Sequence, residues 1–89
     1  MAGNTRGANS VDLQTQRVNA TEVASGDFAV IAGGLENTAS GDNSVIGGGS
    51  DNLAIGLSAV VAGGVKNLAF SDYTVIGGGD TNAAEGIAA

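Results

Sequence analysis

The sequence predicts an all-β protein: a parallel β-solenoid, flattened into a β-roll, with coils of 15 residues. Three observations carry this reading. Cutting the chain every fifteen residues from Ser25 gives "SGDFAVIAGGLENTA", "SGDNSVIGGGSDNLA", "IGLSAVVAGGVKNLA" and "FSDYTVIGGGDTNAA" with no gap. Each unit is too short for a helical hairpin repeat, which needs thirty residues or more. Its β-branched pair next to paired glycines is also unfavourable for helix and suited to a strand and a turn.

The elements follow from the fifteen columns. Columns four to eight read as a strand, with Val30, Val45, Val60 and Val75 in column six and Ile31, Ile46, Val61 and Ile76 in column seven. Columns nine and ten are Gly33 and Gly34, Gly48 and Gly49, Gly63 and Gly64, and Gly78 and Gly79, a turn in which missing Cβ atoms permit positive φ and a tight corner. Column thirteen holds Asn37, Asn52, Asn67 and Asn82, expected to tolerate a left-handed backbone and to stack as an amide ladder. A second extended piece lies near the asparagine, and a return turn at column two (Gly26, Gly41, Gly56, Ser71) closes the coil. Identical residues then stack at the inter-strand spacing of about 4.8 Å. The repeats occupy residues 25–84, after an N-terminal segment of 1–24 and before a stub, "EGIAA" at 85–89, that starts a fifth unit.

The coil perimeter, about 50 Å for fifteen extended residues, leaves little interior. Successive strand residues point to opposite faces, so columns six and seven cannot both face inward. One apolar column fills the coil; the other forms a stripe that requires a cover. The small residues of column eight (Ala32, Gly47, Ala62, Gly77) permit close approach of another backbone. The expected assembly is a homotrimer about an axis parallel to the stack, with the column-six and column-seven residues forming core and trimer seam.

Composition narrows the function. Nine acidic and three basic residues give a net charge of −6, against nucleic-acid binding and anionic membranes. Neither cysteine nor histidine is present, removing disulfides, thiolate metal sites and the commonest general base. No apolar run approaches a membrane span of about 20 residues, and the first ten residues lack the apolar core of a secretory signal. Lys66 follows "AGGV" without a helix signal, so no phosphate loop is formed. "GGGSDN" and "GGGDTN" are superficially similar to calcium-binding Gly-Asp repeats, but column twelve holds Glu36, Asp51, Lys66 and Thr81 and breaks the ligand set. No catalytic, cofactor or metal site is expected.

The pattern V-I-x-G-G-x-x-N-x-A-S-G resembles repeats of bacteriophage tail-fibre and related virion proteins. It is similar, less closely, to the head repeats of trimeric autotransporter adhesins. The segment "RGANSVDLQTQRVNATEVASGD" (6–27) looks like the lead-in of such phage proteins. The resemblance implies a trimeric β-roll in the virion, made in the host cytoplasm, with a role in architecture or host attachment. The alternative it leaves is a binding module in the head of a bacterial surface adhesin. Residues 1–24 read equally as a polar cap on the first coil and as the segment that docks onto another tail or baseplate protein, with Arg6 and Arg17 as its charged contacts.

Overall fold

The structure is a computed structural model that describes residues 7–14 and 23–84. Among these, nine two-residue strands are all parallel: β1 (Val11–Asp12), β2 (Val30–Ile31), β3 (Thr38–Ala39), β4 (Val45–Ile46), β5 (Leu53–Ala54), β6 (Val60–Val61), β7 (Leu68–Ala69), β8 (Val75–Ile76) and β9 (Ala83–Ala84). They form two sheets, ordered β1-β2-β4-β6-β8 and β3-β5-β7-β9. Val30 pairs with Val45, Val45 with Val60 and Val60 with Val75, so each coil lies on the preceding one in the register of the repeat. The fold is a β-solenoid of about four turns with 15-residue coils. A further ladder of single bridges runs through column eleven (Leu35, Ser50, Val65, Asp80). Within the repeats the strands themselves span only columns six and seven and columns fourteen and fifteen, the first shorter than the strand over columns four to eight that the sequence predicts.

Column seven is the interior column. Ile31, Ile46 and Val61 are fully buried and Ile76 nearly so, facing the alanines Ala39, Ala54 and Ala69 of the second sheet. Small column-five residues (Ala29, Ser44, Ala59, Thr74) complete this thin layer. Large on one wall and small on the other is how so short a perimeter closes without voids, and each buried Ile or Val contributes about 1.5–3 kcal/mol. The valines of column six therefore lie outside the chain's own core.

Two sequence expectations are corrected. Column-thirteen asparagines are not left-handed; the positive-φ corners are column four (Phe28, Asn43, Ser58, Tyr73) and column twelve (Glu36, Asp51, Lys66, Thr81). The glycine pair is also asymmetric. Column ten has positive φ in every coil, at Gly34, Gly49, Gly64 and Gly79, whereas column nine has it only at Gly78. The corners are set by hydrogen bonding between coils rather than by residue type. The amide of Asn43 donates to the Asp27 carbonyl at 2.8 Å and that of Lys66 to the Ser50 carbonyl at 2.9 Å, so these corners are fastened to the coil before them.

The asparagines instead hold the interior together. Asn37 Oδ1 accepts the Asn52 amide at 3.0 Å, Asn52 Oδ1 that of Asn67 at 3.0 Å, and Asn67 Oδ1 that of Asn82 at 2.9 Å. Each Nδ2 donates across the coil to a column-nine carbonyl, for example Asn52 to Gly48 at 3.1 Å. It also reaches the column-ten carbonyl of the next coil, Gly64 at 3.0 Å. A buried polar side chain is tolerated because its donors and acceptors are satisfied. The column is the amide ladder the repeat predicts, with an added function as a strut from one wall to the turn opposite.

Candidate functional site

With column seven inside, the first sheet presents columns four, six and eight outward. Its ridge is the valine ladder, in which Val30, Val45 and Val60 are half-buried while Val75 is 57% exposed. Val11 extends the ladder by pairing with Val30. One rim of this face is column eight, where Ala32, Gly47, Ala62 and Gly77 are all exposed. The other rim is column four, where Phe28 and Tyr73 are 56% and 55% exposed. None of columns four, six and eight carries a charged residue in any described coil.

The charges lie at the corners. Column three is acidic in three of four units, and its acids act between coils: Asp27 Oδ1 accepts the Ala8 amide, Asp42 Oδ1 the Asp27 amide, and Asp72 Oδ1 the Leu57 amide, at 2.8–3.0 Å. The acid of one coil thus caps the turn of the coil before it. Leu57 interrupts the series and leaves the Asp42 amide without such an acceptor. Leu57→Asn is expected to supply it at a gain of about 0.5–1.5 kcal/mol, raising the melting temperature by a few degrees in a thermal scan. Asn is chosen over Asp because a fourth stacked carboxylate adds repulsion.

A second apolar cluster lies on the outer side of the second sheet, with Leu53 37% and Phe70 54% exposed beside the half-buried Ile55 and Leu68. It is confined to the later coils, where the first coil has Ser25 and Thr38 at the same columns.

The structure separates the residues expected at the core, the seam and the docking segment into three groups. Ile31, Ile46, Val61 and Ile76 belong to the chain's own core and do not reach a seam between chains. Val30, Val45, Val60 and Val75 are available for one. Arg6 and Arg17, with most of the 1–24 segment and all of 85–89, lie outside the described residues. Among the described residues no three acidic side chains gather as a metal cluster, no pocket opens, and no helix is long and apolar enough to cross a membrane.

Gln14 and Asp12 are the residues that sequence reasoning missed. Residues 7–14 stack on the first coil as half of another, with Gly7 above Gly26 and Val11 above Val30. Asp12 takes the place of the interior isoleucine and its Oδ2 accepts the Ala24 amide at 3.0 Å. Gln14 is buried and joins the asparagine ladder at Asn37: its Oε1 accepts the Asn37 amide at 2.6 Å and its Nε2 donates to the Asn37 carbonyl at 3.0 Å. The signal was present in "GANSVDLQ", whose glycine and valine match columns two and six. The offset of 19 rather than 15 residues hides it from a gapless search.

Compared with known proteins, the chain matches no family model, no curated protein and no solved structure.

Proposed function

We propose that this chain is a structural, non-enzymatic virion protein, the proximal part of a phage tail fibre or spike, working as a rigid homotrimeric rod in host attachment. The observation that carries this reading is the outward valine ladder on a face without charge. A parallel sheet is ordinarily covered on both sides. Here the inner side is covered by the chain's own alanines, and the outer side has nothing from the same chain over it among the described residues. Depletion of charge at the centre of a surface, with the charge displaced to its edges, is the compositional mark of an interface core. The repeat that resembles virion proteins is the same one that places valine on this face in every coil.

The mechanical role follows from the bonding. Successive coils of the repeat are tied through both sheets, the column-eleven bridges and the asparagine ladder, and the column-three acids add a tie wherever one is present. Such a stack resists bending because many bonds between coils must lengthen together. Three copies side by side cover three ladders at once, and the net negative charge of each chain discourages further bundling. Light scattering on the full chain in dilute buffer is expected to give three times the mass of one chain. A well-ordered monomer would refute the rod, and with it the virion role.

A further inference from the structure

Resting on the trimeric reading, we infer that the two rims of the valine face are the two halves of one interface: the column-four rim of one copy seats on the column-eight rim of the next. The second occupant of this surface is another copy of the same chain.

The argument starts from symmetry. Around a threefold axis, every contact between neighbours is heterologous, so each chain must offer two different, complementary surfaces. A face turned with its central ridge toward such an axis offers its left rim to one neighbour and its right rim to the other. The rims here differ in the required sense. Column four carries the large exposed rings Phe28 and Tyr73, and column eight carries only alanine and glycine in all four repeats. A pure rotation about an axis parallel to the stack does not shift chains along it. Each column-four residue therefore meets the column-eight residue of its own coil in the neighbour. Phe28 then covers Ala32, and Tyr73 covers Gly77; the smaller Asn43 and Ser58 face Gly47 and Ala62.

Two further observations fit. The column-four residues stand at left-handed corners whose amides are bonded to the preceding coil, Phe28 to the Ala8 carbonyl and Tyr73 to the Leu57 carbonyl at 2.8 Å each. Their side chains are thereby presented from fixed backbone, which lowers the ordering cost of association. An αL conformation is also unfavourable for aromatic residues, so rings kept at these corners have a use outside the chain's own fold.

The test uses the absence of cysteine from the chain. Within one chain, Ser58 and Ala62 stand four extended residues apart, about 13 Å, so a shorter bis-maleimide cannot bridge them internally. Full-length protein carrying both Ser58→Cys and Ala62→Cys is expected to give a covalent trimer on a denaturing gel. A mixture of the two single variants should give covalent dimer, and each single variant alone none. Circular dichroism confirms folding of each variant, and the mixed single variants keep the test intact should the double variant fail to fold. Leu68→Lys, on the other sheet, should leave the trimer mass unchanged. Cross-linking of Ser58→Cys with itself would mean that like rims meet and would overturn the pairing. A trimer by light scattering that does not cross-link, or that dissociates on Leu68→Lys, overturns the pairing but leaves the rod standing. A monomer removes both.

Discussion

Asn52→Leu is expected to cost about 3–5 kcal/mol, because each buried polar group that loses its partner costs about 1–3 kcal/mol. Asn52 is fully buried in the middle of the stack. Its Oδ1 is the acceptor for the Asn67 amide, and its Nδ2 donates to the Gly48 and Gly64 carbonyls. Leucine fills a similar volume but strands the Asn67 amide and removes a partner from both carbonyls. The coil thereby loses its side-chain ties to its own turn and to the coil that follows. A loss of this size is a large part of the total stability of a small domain, about 5–15 kcal/mol. Thermal or urea unfolding followed by circular dichroism should show a much lower midpoint, or no cooperative transition. Asn52→Asp separates polarity from size: it keeps an acceptor for Asn67 but turns a carboxylate toward two carbonyls, and is expected to be equally disruptive. If Asn52→Leu falls within about 1 kcal/mol of the parent, below the cost of one orphaned group, the ladder is filler and the strut argument fails.

The second large effect separates two adjacent glycines. At Gly49, φ is +89° and an added Cβ would stand 2.1 Å from the Gly64 carbonyl oxygen, part of the next coil's backbone. Gly49→Ala must therefore push two coils apart. The left-handed conformation costs about 1–2 kcal/mol, and forced displacement in a packed stack adds about 1–3 kcal/mol. At Gly48, an added Cβ meets nothing within 4 Å and φ is not positive. Gly48→Ala is expected to leave stability unchanged or slightly raised, since alanine restricts the unfolded chain more than glycine does. Paired melts of the two variants decide the matter. Equal effects would contradict the asymmetry of the turn.

These two substitutions also mark how far the sequence could be read. The repeat writes both glycines identically in every unit, so nothing in the letters ranks them. The difference comes from which of the two stands against the carbonyl of the neighbouring coil. The left-handed corners were hidden in the same way. Phe28, Glu36, Lys66, Tyr73 and Thr81 are not residues that advertise positive φ, and the amides of Phe28, Lys66, Tyr73 and Thr81 are held by hydrogen bonds to the preceding coil. Column three was legible as a row of acids, but not as a row of caps, because the amide it serves belongs to a residue fifteen positions earlier.

The adjacent Val and Ile of each unit were legible as two apolar columns on opposite faces, since alternation along a strand is a local rule. Which of them faces inward was not. The choice was made across the coil, where the small alanines of column fifteen leave room for a large β-branched side chain, and Ile31, Ile46, Val61 and Ile76 fill it.

The sequence by itself determined the period, the parallel register and the stacking of like on like, because a gapless fifteen-residue repeat of strand and turn residues has few other ways to satisfy its backbone. Only the tertiary structure decided which valines remain outside, which glycine is indispensable and how Gln14 joins the ladder. Those outcomes depend on what lies one coil away, a distance of one inter-strand spacing in space but fifteen to nineteen residues along the chain.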